Sequence, residues 1–195
     1  YTMNKCVLDS KMAFKLVLES KFISVSAVNK LYRKSLFKDL RYPVGKTYED
    51  AFLTPILFLE AQKISYNPAP KYYYNHKTES ITTKKFNMSD MSIINAYRHH
   101  LDFVEKDMPE LKNQAMFRYL WAHMVVMDKL VKCDINNYKC TYERVFKVIK
   151  SNIFFVLKSP FFSFRRKIST LIMIFAPRTY KRILKRQEIK NFSKG

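Results

Sequence analysis

Glycine is nearly absent from this chain, and its absence restricts the possible folds more than any other feature of the sequence. Only Gly45 and Gly195 are glycines among 195 residues. The loops that hold nucleotide phosphates in dinucleotide-binding and Walker-type domains need several glycines close together, because the backbone itself must approach the phosphate. The sequence therefore excludes both a Rossmann fingerprint and a P-loop.

The chain has enough apolar residues to fold in spite of its charge. Hydrophobic residues make up 48% and aromatic residues 15% of the sequence, against a formal net charge of +20. That apolar content is too high for a disordered chain, and the length suits one domain or one domain with an appendage. No uncharged apolar run of roughly 18 residues is present, so we do not expect a simple membrane span. The chain begins at Tyr1 without an initiator Met or a signal-peptide pattern, and we expect a longer protein.

The cysteines and histidines do not form a recognisable metal or redox motif. Cys6, Cys133 and Cys140 contain no CxxC pair, and none of the four histidines belongs to an HExxH pattern. Reduced thiols are therefore expected. His99 and His100 are interpreted as helix-surface residues, and Trp121 as part of a helical core.

The hydrophobic period changes once along the chain. Up to about Thr83 helical and alternating segments are mixed, whereas from Ser89 onward the period is helical throughout. In the first part the pattern predicts helices over Ser10–Lys21, Asn29–Lys38 and Thr47–Gln62, and strands over Phe22–Val28, Lys63–Asn67 and Lys71–His76. In the second part it predicts helices over Ser89–Lys106, Leu111–Lys132 and Thr141–Leu157.

One of these helices begins with acidic residues. Thr47 is a favourable N-cap, and Asp50 stands three residues later, as in a capping box. Pro55 lies beyond the first turn, where a proline costs about 3 kcal/mol and kinks a helix. The sequence therefore predicts a kinked helix with Glu49 and Asp50 in its first turn.

The last 38 residues, Lys158 to Gly195, are strongly basic and also apolar. Eleven basic residues oppose one acid, Glu188, which gives this segment a net charge of +10. Cations interleaved with large apolar residues suit the surface of an anionic membrane, where we place Arg165, Arg166, Lys167, Arg178, Lys181, Arg182, Lys185 and Arg186. Nucleic-acid binding and a solvated helical pair are the alternatives; the density of aromatic and aliphatic residues favours the membrane.

Four segments in order resemble bacterial family 2 glycosyltransferases of the kind that assemble capsule, exopolysaccharide or lipopolysaccharide. The segments are KFISVSA (Lys21–Ala27), NKLYRKSLF (Asn29–Phe37), YPVGKTYED (Tyr42–Asp50) and YYYNH with SIT (Tyr72–His76, Ser80–Thr82). The resemblance covers roughly Ser10 to Thr83. It implies an α/β fold of the GT-A type, of which this chain would carry the C-terminal half, followed by an α-helical region.

The resemblance also implies a division of the chain and a missing donor site. Residues 1–86 would be the acceptor-side half of the catalytic domain, 87–157 a helical region and 158–195 a basic membrane-associating tail. The nucleotide-sugar pocket and the Asp-x-Asp metal motif of the family would lie in the absent half, since Asp-x-Asp occurs nowhere in this chain. The divalent metal, Mn or Mg, would be held mainly there.

By the same resemblance, several residues are expected to act on the substrates. Asp50 would be the base that takes the acceptor proton, and Glu49 would help to place acceptor or base. Backbone N–H groups at the helix start would favour the ionised carboxylate. His76, Ser80, Thr82 and Lys30 would contact the donor diphosphate, and His76 is also a candidate metal ligand. Asn75 stands where the family often has Arg.

The resulting functional hypothesis is an inverting glycosyltransferase of surface polysaccharide synthesis. It would move a sugar from a nucleotide-sugar to a glycan or lipid-linked acceptor, in the cytoplasm and peripherally on the inner face of the plasma membrane. Nucleic acid is not an expected partner. The alternative is a non-catalytic basic helical module that binds membrane or nucleic acid.

Overall fold

The computed structural model describes residues 3–75 and 85–192. Over these residues the chain forms eight α-helices and one antiparallel sheet of two short strands. The strands are β1 (Cys6–Leu8) and β2 (Ile64–Tyr66). The helices are α1 (Ser10–Glu19), α2 (Glu49–Glu60), α3 (Ser92–Asp107), α4 (Lys112–Leu130), α5 (Lys139–Ser151), α6 (Ile153–Lys158), α7 (Phe164–Phe175) and α8 (Pro177–Phe192).

The predicted α/β fold of the GT-A type is wrong for this chain. Helices dominate the described residues, and their sheet consists of β1 and β2 alone, with Cys6 opposite Tyr66 and Leu8 opposite Ile64. A strand satisfies its backbone N–H and C=O groups by pairing with a neighbour. A two-stranded ribbon cannot form the layered sheet that an α/β domain needs, and helix-on-helix packing buries the apolar residues instead.

The strand predictions succeed only where the chain supplies a partner. Residues 63–67 contain β2, which pairs with β1. Residues 22–28 and 71–75 form no strand, although their alternating pattern favours one. Neither segment pairs with another strand within the described part of the chain, so alternation alone was not sufficient.

Helix α1 confirms its prediction, whereas the next predicted helix is largely absent. Asp9 caps α1 by accepting a hydrogen bond from the N–H of Met12 at 2.7 Å, and Ser20 ends the helix in the left-handed conformation. The helix predicted over Asn29–Lys38 is reduced to a short 3₁₀ turn at Lys34–Phe37. Asn29 has a φ of 60°, which takes the backbone out of the helical region.

The helices of the second half follow the predicted period closely. Helix α3 is preceded by a 3₁₀ turn, in which Asn87 and Asp90 form a reciprocal capping box. The single helix predicted over Thr141–Leu157 is divided into α5 and α6 at Asn152. The Asn152 side chain donates to the carbonyl of Val148 at 2.8 Å, a local bond that competes with helix continuation.

An apolar cluster joins the first helix to the helical region. Phe14 and Leu18 of α1 pack with Leu101 and Val104 of α3 and with Leu111 at the start of α4. Burial of such side chains contributes roughly 1.5–3 kcal/mol each. The boundaries at 86/87 and 157/158 stay a prediction, and this cluster crosses the first of them.

One carboxylate of α4 bonds to both of the last two helices. Asp128 of α4 accepts an ion-paired hydrogen bond from Arg166 of α7 at 2.9 Å and a short hydrogen bond from the hydroxyl of Tyr180 of α8. The hydroxyl of Thr170 also lies 3.9 Å from the sulfur of Met124. No helix in the described residues is long and apolar enough to cross a membrane.

Candidate functional site

The first turn of α2 is fixed by residues on both sides of it. Tyr48 precedes the helix with a φ of 60°, a strained conformation for a bulky residue. Its hydroxyl donates to Asp90 at 3.2 Å, and Asp90 also pairs with Lys129 at 2.7 Å. Thr47 does not cap α2 as predicted; its hydroxyl donates to the carbonyl of Ser89 at 2.7 Å. These bonds tie the turn to the start of α3.

Asp50 is half-buried in this turn, whereas Glu49 is exposed. The Asp50 carboxylate accepts a hydrogen bond from the N–H of Ala51 at 2.7 Å. Burial raises the pKa of Asp50, and the charge of Glu49 adds to that rise; the Ala51 N–H and the Lys30 ammonium act in the opposite direction. Burial therefore has a larger effect on the pKa of Asp50 than the helix-terminal N–H groups, which were expected to lower it.

Lys30 lies near enough to Asp50 for their charges to interact. Its ammonium donates to the carbonyl of Ser26 at 2.6 Å. Burial lowers the pKa of Lys30, and the carboxylate of Asp50 opposes that change. The structure thus brings together two predicted site residues that are 20 positions apart in the sequence.

Three tyrosines lie near enough to the Asp50 carboxylate for its charge to act on them. Burial raises the pKa of both Tyr32 and Tyr48 to about 12 and also raises that of Tyr97, and in each case the negative charge of Asp50 contributes. The hydroxyls of Tyr32 and Thr54 are buried without a hydrogen bond of normal geometry among the described residues. These phenolic groups therefore remain protonated at neutral pH and can act as hydrogen-bond donors.

A buried histidine of α3, which was not predicted from the sequence, forms a hydrogen bond to α2. His100 was interpreted as a surface residue, but it is fully buried. Its Nε2 lies 2.7 Å from the carbonyl oxygen of Ala51, and because a carbonyl only accepts, Nε2 carries the proton. In an α-helix this carbonyl would accept from the N–H of residue 55, which is a proline and has none. His100 replaces the missing donor.

Two features of the sequence could have located this histidine. Pro55 inside a helix guarantees an unpaired carbonyl at Ala51. His100 also continues the apolar stripe of α3, since it lies three residues after Tyr97 and four before Val104. A polar side chain in a buried stripe needs a partner, and the orphaned carbonyl is that partner.

Arg118 is the second buried group that sequence reasoning missed. It is only 4% exposed and donates a short hydrogen bond to the hydroxyl of Tyr97. Its guanidinium lies 4.5 Å from the ring centroid of Tyr97 and 4.2 Å from that of Trp121. Cation–π contacts of this kind stabilise a desolvated Arg. Trp121 packs partly buried against the main core, near its expected place.

A large open groove lies beside this cluster. It has a volume of about 2170 Å³ and is lined among others by Ile23, Lys30, Tyr32, Tyr66, Tyr72 and Tyr74. Lys30 and Tyr32 face the groove, whereas Asp50 and Glu49 are not among its lining residues. Pockets for small ligands measure roughly 300–1,000 Å³, so this groove has room for an extended ligand.

Three of the predicted donor-contacting residues cannot be placed. His76, Ser80 and Thr82 lie outside the described residues, so their roles stay predictions. Among the residues that the structure does describe, no three His, Cys, Asp or Glu side chains cluster in a way that could hold a metal ion. The described side chains therefore do not provide a site for a divalent metal.

The predicted membrane-binding cations fall into two groups. Arg166 and Lys181 point inward: Arg166 pairs with Asp128 at 2.9 Å, and Lys181 donates to the carbonyl of Cys133 at 3.2 Å. The others lie at or near the surface: Arg165, Lys167, Arg178, Arg182, Lys185 and Arg186. Two of the eight cations therefore stabilise the packing of α7 and α8.

Comparison with known proteins gives one relevant similarity. The chain is 31% identical over 80 residues to the glycosyltransferase GlyA of Streptococcus pneumoniae serotype 4. The match covers 39% of this chain and only 12% of that protein. No family model matches the chain, and no solved structure matches it. The chain is therefore similar, over part of its length, to a glycosyltransferase.

Proposed function

We propose that this chain is part of an enzyme that transfers a sugar, with inversion, from a nucleotide-sugar to a glycan or lipid-linked acceptor. The observation that carries the proposal is the half-buried carboxylate of Asp50, fixed at the start of α2 and close enough to the ammonium of Lys30 for their charges to interact. The partial similarity to a glycosyltransferase supports the same class of reaction. Membership of family 2 is part of this proposal.

Asp50 would act as the general base. As the acceptor oxygen attacks the anomeric carbon, Asp50 takes the hydroxyl proton, and the bond from that carbon to the nucleoside diphosphate breaks with the electron pair leaving on the phosphate. A base works best when its pKa approaches the working pH. Burial shifts the pKa of Asp50 in that direction.

Lys30 and Glu49 would place the substrates on either side of this base. Lys30 lines the groove, and its ammonium can bind the diphosphate oxygens as negative charge develops on the leaving group. Glu49 is exposed next to Asp50 and can accept a hydrogen bond from a second acceptor hydroxyl. His76, Ser80 and Thr82 are further proposed contacts of the diphosphate. The nucleotide and the divalent metal would be bound mainly by residues beyond this chain.

The proposed setting is the cytoplasmic face of the plasma membrane, with the product entering a surface polysaccharide. The family resemblance and the basic C-terminal segment support this proposed setting.

The test is Asp50→Asn in the natural protein that carries this chain, assayed by release of nucleoside diphosphate from a panel of nucleotide-sugars. Loss of a general base lowers the rate on the order of 10²–10⁴-fold, and we expect a loss of that size with donor binding unchanged. Asp107→Asn is the matched control, because Asp107 is an exposed carboxylate at the end of α3 and does not line the groove. Transfer by Asp50→Asn at the rate of Asp107→Asn would refute the assignment.

A further inference from the structure

The outward face of α7 is apolar, which is unusual for the solvent side of a helix. Phe164 is 76% exposed, Ile168 41% and Phe175 80%. Their spacing of four and seven residues places them on one side of the helix, together with partly exposed Leu171. A contiguous exposed apolar surface marks an interaction site more often than a scattering of single residues does.

The opposite side of the same helix is already packed. Thr170 and Met173 are buried, and Arg166 pairs with Asp128 on α4. The exposed apolar stripe is therefore distinct from the side of α7 that packs against the core. At about 100° per residue, Arg165 and Lys167 fall on either side of it, so two cations border the exposed apolar residues.

Helix α8 carries a row of exposed cations on the side that faces away from α4. Tyr180 points inward to Asp128, and Arg178, Arg182, Lys185 and Arg186 lie on the other side of the helix, all exposed. Among the side chains that the structure describes, which end at Gln187 in α8, none of these four cations forms an ion pair. Because Arg166 and Tyr180 converge on one carboxylate of α4, the outer faces of α7 and α8 both point away from α4. Helices α7 and α8 also contact each other, and their outward-facing residues together are here called the α7–α8 face.

We propose that the α7–α8 face binds the surface of an anionic lipid bilayer, with Phe164, Ile168 and Phe175 inserted between the headgroups. Helix α7 has 12 residues and is about 18 Å long, whereas the hydrocarbon core is about 30 Å thick, so the helix would lie in the plane of the interface. The flanking and neighbouring cations would then meet the lipid phosphates. This inference does not depend on the proposed glycosyl transfer.

Charge and apolarity together favour a bilayer over other occupants. Nucleic acid would engage the cations but leave the Phe164 and Phe175 side chains in water. A second copy of this chain would bring two rows of cations together, in a protein whose net charge is +20. An anionic bilayer is complementary to both features, because its phosphates attract the cations and its acyl region accepts the apolar side chains.

Co-sedimentation of the full chain with vesicles of phosphatidylcholine, with and without phosphatidylglycerol, tests the proposal. We expect binding to the anionic vesicles that weakens but persists in high salt, since apolar insertion is not screened. The variant Phe164→Ser/Ile168→Ser/Phe175→Ser should bind at least tenfold more weakly while keeping its helical circular dichroism. Leu31→Ser/Val44→Ser, which removes exposed apolar residues elsewhere, should bind like the parent chain.

The cations are tested by a charge-matched pair of variants. Replacing Arg178, Arg182, Lys185 and Arg186 with Gln should weaken binding more than tenfold. The same change at exposed Lys34, Lys38, Lys63 and Lys71 should have a much smaller effect, although it removes the same charge. Equal losses in the two variants would mean that net charge alone drives binding, and would overturn the proposal.

Insertion itself is measured with Phe164→Trp and brominated lipids, after subtraction of the Trp121 signal. Quenching at position 164, without quenching in Leu31→Trp, is the expected result. Absence of quenching would overturn the proposal, as would tighter binding to duplex RNA than to anionic vesicles. A dimer in size-exclusion chromatography that the triple Ser variant converts to a monomer would instead assign the stripe to a second copy.

Discussion

At the scale of single residues, Asp50 carries its charge where that charge opposes folding. Its pKa is raised above the value of an ordinary Asp, with burial as the main cause. The ionised carboxylate therefore destabilises the folded state at any pH above the folded-state pKa, and this penalty disappears as the pH falls through that pKa. Such a conflict between local stability and chemistry is typical of functional carboxylates.

Asp50→Asn should consequently lose activity without losing stability. Asn keeps an oxygen that can accept from the Ala51 N–H, and it removes the half-buried charge. We expect a midpoint of thermal or urea unfolding at neutral pH that equals or exceeds that of the parent chain. Glu49→Gln, at an exposed position, should leave the midpoint unchanged. A clear drop for Asp50→Asn would show that the carboxylate stabilises the fold and would contradict its placement as a destabilised base.

At the scale of the element, α2 contains a proline whose missing hydrogen bond is supplied by another helix. The carbonyl of Ala51 accepts from His100 of α3 and not from residue 55. This bond connects the first turn of α2, with Glu49 and Asp50, to the most buried part of α3. The position of the candidate base therefore depends on tertiary packing as well as on the helix itself.

A double-mutant cycle between Pro55 and His100 measures this dependence. His100→Leu leaves the Ala51 carbonyl unpaired, whereas Pro55→Ala restores a local donor for it. We expect His100→Leu to be less destabilising in the Pro55→Ala background, with a coupling free energy of about 1 kcal/mol from urea unfolding. Additive effects of the two mutations would show that His100 does not replace the missing N–H of residue 55 as the donor to the Ala51 carbonyl.

The helices show which elements could be predicted and which could not. Helices α1, α3 and α4 were predicted within a few residues, because their apolar period reflects a stripe that is buried in any packing arrangement. The helix over Asn29–Lys38 and the strands over residues 22–28 and 71–75 were wrong. Their local patterns fit the predicted elements, but no strand in the described structure pairs with residues 22–28 or 71–75. Ile23 is nevertheless buried against α1 and α2, so burial alone did not make its segment a strand.

At the scale of the whole molecule, stability should fall on acidification through the buried histidines. Burial lowers the pKa of His100 to about 4 and also lowers that of His123. The charges of His99 and of Arg118 act on His100 in the same direction. In this pH range the histidines are protonated in the unfolded chain but remain neutral in the folded chain. The free energy of unfolding therefore decreases as the pH falls from about 6.5 towards 4. Asp50 acts in the opposite sense, through its raised pKa.

Urea unfolding at pH 7 and pH 5 measures this loss, to which His100 should contribute about 2 kcal/mol. The loss should shrink by about that amount in His100→Leu and be largely retained in a His99→Gln control, since His99 is exposed and its charge lowers the pKa of His100 less than burial does. An unchanged pH dependence in His100→Leu would show that other groups determine the acid sensitivity of the fold.

The sequence by itself determined the helical second half, the basic and apolar character of the tail and the exclusion of glycine-rich phosphate loops. These properties depend on residue type and local period, which need no knowledge of distant contacts. The sequence also singled out Asp50 and Lys30, but only the tertiary structure placed their charges together. The tertiary structure also decided that His100 and Arg118 are buried. It further decided that Arg166 pairs with Asp128, while Phe164 is exposed. These outcomes depend on which face of each helix meets a neighbour, and helical period fixes the faces of a helix but not their partners.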